Sequence, residues 1–289
     1  MTEPESSAAT WADLLARARA RLSGRDHAPF EAEELLARAS GRPRSWFHAR
    51  RREPAERDAA AAFDDLVTRR AAGEPLQYLL GEWEFLGRTF RVDPRALIPR
   101  RETELIVAAS RDAAPEARWV LDAGTGSGIL AVSLALERPA ARVVAVDRSV
   151  AALALAAENA VLHGVAGRVL LVASDWAKAL ARAGQRPFDL AVANPPYVPL
   201  ADAPHVERTV SDHEPPLALW GGDDGLDPLR TLLATLPPLL ASGAPFVFEI
   251  GYGQAREASG LVETSGAFAL EEIRLDAGGI PRTAVARRR

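Results

Sequence analysis

Asn194-Pro195-Pro196-Tyr197 is the stretch of this chain whose residue types can do the most specific chemistry. Two successive prolines fix φ and remove two backbone donors, so the local carbonyls stay free to accept. The Asn194 side-chain oxygen is a further acceptor. Two acceptors held side by side can take both hydrogens of an –NH₂ group and orient its nitrogen for attack. Tyr197 adds an aromatic face on which a planar amide or base can stack. Such a nitrogen is a poor nucleophile because its lone pair is delocalised. A site that uses it must align it rigidly with the electrophile and favour the charge that develops. Taken alone, the tetrapeptide also fits a rigid proline-rich loop after a strand.

A second set of residues offers a seat for the electrophile. Asp122-Ala123-Gly124-Thr125-Gly126-Ser127-Gly128 follows a short apolar run and opens a helical pattern. Its glycines let the backbone turn tightly and approach a ligand, and free N–H groups at the helix start face that ligand. Asp147 ends the next apolar run about 20 residues on, where a carboxylate can accept both ribose hydroxyls of a nucleoside cofactor. A helix N-cap is its plainer role. The spacing Gly-x-Gly-x-Gly differs from the dinucleotide pattern Gly-x-Gly-x-x-Gly and resembles the first motif of class I methyltransferases. Their donor, S-adenosylmethionine, has no pyrophosphate, so the loop need only pass beside its amino-acid part and ribose. Asp175-Trp176 follows the third apolar run. There a carboxylate can accept the adenine amino group and an indole can cover the ring; a capping Asp beside a core Trp is the plainer reading. A sulfonium leaves as a neutral thioether, so the chemistry needs no metal.

These residues require a scaffold that brings four strand ends together, and the pattern supplies one. From about Ala117 onward, apolar strands alternate with amphipathic helices: strands at 119–121, 143–146, 169–172, 188–192 and 246–250, helices at 129–137, 151–162 and 226–240, the last broken at Pro237-Pro238, and a closing strand pair at 268–275 and 283–286. That alternation predicts a mainly parallel sheet with helices on both faces. Residues 1–72 read as a small helical bundle, with Trp11, Leu14, Leu15, Leu22, Phe30, Leu35, Leu36, Phe63, Leu66 and Val67 near helical spacing. Residues 73–99 read as a β-hairpin linker, 82–85 against 89–92 around Leu86-Gly87. Residues 100–289 form the expected catalytic domain.

Composition narrows the classes. The chain has 289 residues, 48% of them hydrophobic, enough for one substantial core and a smaller one. It has no cysteine, which excludes disulfides and thiolate metal sites. A polar, acidic start and the lack of an apolar run of about 18 residues predict neither a secretory leader nor a membrane span, hence a cytoplasmic protein. The net charge of −4 argues against a nucleic-acid substrate held mainly through phosphates. His205 and His213 have no ligand-spaced partner, so no metal is expected. Arg50-Arg51-Arg52 fits a solvated face, and Glu249, at the end of an apolar strand, fits a structural hydrogen bond as well as a place at the site.

The chain also resembles the release-factor glutamine methyltransferases, the HemK/PrmC family, over almost its full length. The resemblance rests on Gly73 to Gly81 (GEPLQYLLG), Glu84 to Gly87, Leu97 to Glu104 (LIPRRETE), Asp212 to Leu219 (DHEPPLAL), Gly221 to Leu226 (GGDDGL) and Glu249 to Gln254 (EIGYGQ). It implies a helical substrate-recognition domain, a hairpin linker and a class I, Rossmann-like methyltransferase domain using S-adenosylmethionine. It implies as partners the class I peptide chain release factors, whose Gly-Gly-Gln loop carries the glutamine methylated at N5. Cofactor residues map onto Gly124, Thr125, Gly126, Ser127, Gly128, Asp147, Trp176 and Asn194, and the catalytic motif onto Asn194, Pro195, Pro196 and Tyr197, while Asp175 rests on its position after the third strand. Arg101, Ala193 and Pro281 depart from the family pattern. A ribosomal-protein glutamine methyltransferase, an adenine or guanine amino methyltransferase and a non-catalytic binding module are the competing readings.

Overall fold

A computed structural model describes residues 9–180 and 187–289. The chain divides into two compact units, one ending at Gly81 and including Arg208–His213, the other comprising Glu82–Glu207 and Glu214–Arg289.

The first unit begins with α1 (Trp11–Arg21), α2 (Ala28–Ser40), α3 (Arg44–Arg50), α4 (Arg57–Ala71) and α5 (Leu76–Leu80). Thr10 and Asp13 form a reciprocal cap on α1. Trp11, Leu15, Leu35, Leu36, Phe47, Phe63 and Val67 bury into one core. The Arg70 guanidinium reaches the Glu31 carboxylate at 2.7 Å with both groups buried, so losing either would leave an unpaired buried charge. Helix α5 lies within the 73–99 stretch assigned to the linker. Pro75 precedes it, Gly81 closes it at positive φ, and Leu76 and Leu79 complete the core.

The second unit opens with the hairpin β1 (Glu82–Phe85) and β2 (Arg88–Arg91), turning through Leu86 and Gly87, both at positive φ. That is the twist a two-residue hairpin turn requires. There follow α6 (Glu104–Ala113), β3 (Trp119–Ala123), α7 (Ile129–Glu137), β4 (Arg142–Asp147), α8 (Val150–Leu162), β5 (Val169–Ala173) and β6 (Leu190–Ala193). After the short α9 (Arg208–Ser211), which belongs to the first unit, come α10 (Asp227–Thr235), β7 (Pro245–Glu249), α11 (Ala255–Thr264), β8 (Phe268–Leu275) and β9 (Pro281–Arg288). The expected break at Pro237 is present as a 3₁₀ turn, Pro237–Leu239.

Among the described residues, seven strands make one sheet in the order β5-β4-β3-β6-β7-β9-β8. β5, β4, β3, β6 and β7 run parallel, and β9 lies antiparallel between β7 and β8. Val120, Val143, Leu190 and Val247 point into one apolar layer, and Leu121, Val146, Ala191 and Phe246 into the other, so helices cover both faces. The winding direction reverses between β3 and β6, and a crevice opens at their carboxyl ends, the usual ligand position in such sheets. No helix is long and apolar enough to cross a membrane among the described residues.

Candidate active site

The cavity at this reversal point is lined by Gly124, Thr125, Gly126 and Ser127 after β3, by Asp147 after β4, by Asp175 and Trp176 after β5, and by Asn194 and Pro196 after β6. Four segments separated in sequence thus converge as the strand-end argument requires. Gly128, Pro195 and Tyr197 do not line it.

The glycines have separate reasons. Gly124, Gly126 and Gly128 all sit at positive φ, where a side chain would be strained. A Cβ on Gly124 would lie 3.2 Å from the Trp176 indole, so the missing side chain is what lets that ring close over the loop. A Cβ on Gly128 would lie 2.9 Å from the Ala156 Cβ, so this glycine admits α8 against the start of α7. Asp122 anchors the loop from beneath: its Oδ2 accepts from Thr125 Oγ1 at 2.6 Å and from the Ala131 amide at 3.0 Å. Burial pushes its carboxyl up to about 7, against the pull of the Thr125 hydrogen bond, and Oδ1 is buried without a partner.

Asp147 accepts one amide on each oxygen, from Gly126 at 2.9 Å and Ser149 at 2.8 Å. The carboxylate is thereby oriented, and each oxygen keeps lone-pair capacity for a further donor. Trp176 holds its indole on a backbone at φ 51, an uncommon conformation for a bulky residue and one found at ligand clamps. Asp175 is exposed and pairs with Lys178 at 2.5 Å.

Asn194 follows the last residue of β6. Its amide nitrogen donates to Thr103 Oγ1 at 3.1 Å, and the Thr103 hydroxyl donates to Glu249 Oε2 at 2.7 Å. Tyr197 is half-buried and faces the same carboxylate; burial, then the Glu249 charge, raises its phenol. Burial pushes Glu249 up to about 7, while the Thr103 hydrogen bond, the Tyr197 hydroxyl and the charge of Arg282 pull it down.

The loop after Asn194 is held by backbone contacts. Gln254 Nε2 donates to the Tyr197 carbonyl at 2.9 Å, while its Oε1 accepts from the Gly251 amide at 2.8 Å. The Val198 amide donates to Leu219, and the Gly221 amide to Val198. A Cβ on Gly221 would come 2.7 Å from the Pro196 carbonyl, and one on Gly251 3.0 Å from the Tyr197 ring. The opposite wall, Arg95 to Thr103 with Pro215 and Leu217, is stitched by buried Glu214, which accepts from the Ile98 amide at 3.0 Å and from Arg100 at 2.5 Å.

Reading residue types at strand ends did not reveal Thr103, Glu214, Gln254 or Asn159. Asn159 ties the hairpin to the glycine loop by accepting from the Arg91 amide and donating to the Arg91 and Ser127 carbonyls. The first three lie within segments quoted for the family resemblance, which was the one signal available for them. Of the departures, Ala193 is fully buried in β6 against Phe248, where an apolar residue needs no partner. Arg101 is exposed in a 3₁₀ turn, and Pro281 pairs with Leu275 at the start of β9.

Residues 13–81 match the family described as the PrmC N-terminal domain, and residues 102–210 the methyltransferase small domain. A protein of Moorella thermoacetica named release factor glutamine methyltransferase is 42% identical over 273 residues, covering 94% of this chain and 95% of its own. A Nitratidesulfovibrio vulgaris protein of the same name is 38% identical over 293 residues, covering 100% and 98%. One from Geobacter sulfurreducens is 43% identical over 243 residues, covering 84% of each. Among solved structures, a ribosomal protein L11 methylase from Lactobacillus delbrueckii subsp. bulgaricus shares the fold at TM-score 0.50 and 22% identity, over 66% of this chain and 80% of that one. A T. thermophilus 16S rRNA methyltransferase solved with AdoMet and guanosine does so at TM-score 0.51 and 21% identity, over 72% and 50%.

Proposed function

The chain belongs to the release factor glutamine methyltransferase family, and from that premise we propose that it methylates the side-chain amide nitrogen, N5, of the glutamine in the Gly-Gly-Gln loop of class I release factors. The observation that carries the reading is Asn194: it borders the cofactor cavity with its amide nitrogen already engaged, which turns its oxygen into a committed acceptor.

S-adenosylmethionine supplies an electrophilic methyl group. The cavity suits it, with an oriented carboxylate at Asp147 and an indole over the Gly124 backbone. In this reading Asp147 takes the ribose hydroxyls, Trp176 and Asp175 the adenine, and Gly124 to Ser127 the amino-acid end, with Gly128 serving through packing. On the protein-substrate side, Asn194 Oδ1 accepts one hydrogen of the glutamine –NH₂. The Pro195 carbonyl accepts the other, because the Pro196 carbonyl faces Gly221 and that of Tyr197 is held by Gln254. Held at both hydrogens, the nitrogen cannot rotate its lone pair away from the line of attack. The same acceptors stabilise the positive charge that would grow as the N–C bond forms and the donor's S–C bond breaks, its electron pair staying on sulfur, before the amide returns to neutrality by losing a proton to solvent. Tyr197 supplies the stacking face.

Asp147→Ala is expected to weaken S-adenosylmethionine binding by roughly 1–3 kcal/mol, the cost of losing hydrogen bonds to a charged group. Calorimetry on the folded variant is the check, and an unchanged affinity would remove Asp147 from the cofactor site.

The helical unit is the proposed selector of the release factor, since the glycine loop and the Asn-Pro-Pro-Tyr motif lie wholly in the other unit. One experiment tests both statements: labelled S-adenosylmethionine offered with a release factor, ribosomal subunits or DNA, to the full chain and to residues 82–289. Label on the release-factor glutamine from the full chain, sharply reduced for a folded truncation, is the expected result. Label confined to ribosomal protein, RNA or DNA would overturn the substrate reading, and a truncation working at full rate would overturn the selector role.

A further inference from the structure

An Asn side chain is nearly symmetric in shape, and a catalytic acceptor works only if its oxygen, not its nitrogen, faces the reacting group. Which end faces where is set by the hydrogen-bond network around it. Here three residues far apart in sequence form a chain: Asn194 Nδ2 to Thr103 Oγ1 at 3.1 Å, and Thr103 Oγ1 to Glu249 Oε2 at 2.7 Å. Thr103 and Glu249 are 0% and 2% exposed, so water cannot substitute for either partner.

We propose that Thr103 and Glu249 are positioning residues whose hydrogen-bond polarity fixes Asn194 with its oxygen toward the reacting nitrogen. The inference rests on the role given to Asn194 above. A threonine hydroxyl has one proton. An ionised Glu249 can only accept, so it takes that proton and leaves Thr103 only lone pairs to offer Asn194. The Asn194 nitrogen satisfies those lone pairs; its oxygen would be repelled by them. A flipped Asn194 would also set its N–H groups against the N–H groups of the substrate amide. The two errors coincide, so one buried carboxylate decides the orientation at the site two hydrogen bonds away. Tyr197 faces the same carboxylate, so both the aligning and the stacking residue are referred to one fixed group.

The polarity survives only while Glu249 is ionised. Once protonated it can donate to Thr103, whose hydroxyl is then free to donate to the Asn194 oxygen and hold the side chain the wrong way round. The groups acting on Glu249 are Tyr197 and Arg282, which favour the charge, and Glu102, which opposes it. Arg282 is itself shared with Asp276 at 3.2 Å, and Arg100, which acts on Tyr197, is paired with Glu214. Burial outweighs the favourable contacts and brings the carboxyl up to about 7, so methyl transfer should slow as pH falls through that region.

The test is single-turnover methyl transfer to a release factor across pH 5.5–9 (about that range, bracketing the shifted carboxyl) for the wild type, Thr103→Val, Thr103→Ser, Glu249→Gln and Asn194→Ala, with calorimetric cofactor binding alongside. Thr103→Val keeps shape and removes the hydroxyl. It should lower the rate by about 10²-fold, as small misplacements of a reacting group do, change cofactor affinity far less than the rate, since Thr103 only lines the cavity wall, and abolish the acid limb. Glu249→Gln should slow transfer and likewise flatten the acid limb, because a neutral amide can donate to Thr103 at every pH. Thr103→Ser, which restores the hydroxyl, should recover most of the rate and the acid limb. A Thr103→Val enzyme with wild-type rate and acid limb overturns the proposal, as does Thr103→Ser impaired as badly as Thr103→Val, since packing would then be its role. If Asn194→Ala is inactive in those cases, the relay alone has failed; if Asn194→Ala is itself active, the reading of Asn194 has failed and the relay with it.

Discussion

Asn194→Ala is expected to lose about 10³-fold in the rate of methyl transfer, near the upper end for deleting one fixed dipole aimed at developing charge. Its cofactor affinity should change little, because the glycine loop and Asp147 stand on β3 and β4 and keep their own hydrogen bonds. The loss belongs to the transition state: the Asn oxygen holds a hydrogen that becomes more acidic as the nitrogen gains its methyl group, so the contact strengthens along the reaction. Tyr197→Ala should be the next most damaging, since it removes the stacking face while both acceptors remain. Tyr197→Phe should be mildest, losing only the hydroxyl. Single-turnover transfer to a release factor separates this order from product release. An Asn194→Ala enzyme running near the wild-type rate would sink the mechanism, whatever its affinity.

Gly221→Ala is expected to cost about 10²-fold in the same assay although Gly221 touches no reacting group. Its Cβ would sit 2.5 Å from the Gly225 carbonyl oxygen and 2.7 Å from that of Pro196. Both are backbone atoms, so neither can swing aside as a flexible side chain would, and overpacking of this kind typically costs 1–3 kcal/mol of stability in addition. The Pro196 end of the tetrapeptide must shift, carrying the Pro195 carbonyl and Asn194 with it. Affinity for S-adenosylmethionine should stay within a few-fold. Gly260→Ala in α11 is the control: a Cβ there meets nothing within 4 Å, and the added methyl restricts the unfolded chain. Equal rates for the two variants would show that the loop does not need this cradle.

The residues proposed to bear the chemistry could be read in advance because their signals are local. A glycine run between a strand and a helix, a carboxylate at the next strand end and an Asn-Pro-Pro-Tyr turn each occupy a few consecutive positions. Period-two and period-3.6 patterning places the strands and helices around them without knowledge of the fold. Helix α5 is a partial exception: five residues, Leu76–Leu80, carry too short a pattern to distinguish a helical turn from a linker, and packing of Leu76 and Leu79 on the helical core decides it.

The parallel sheet and the placing of Asp147 and Asn194 at strand ends were therefore contained in the sequence, and resemblance to a family narrowed the substrate. Only the tertiary structure decided what holds those residues. Thr103 meets Asn194 across 91 positions and Glu249 across 146, Glu214 meets Ile98 across 116, and Gln254 meets Tyr197 across 57. Such pairings leave no periodicity, because a buried hydroxyl, amide or carboxylate takes whichever partner the closing fold brings within about 3 Å, and burial then makes that partner indispensable.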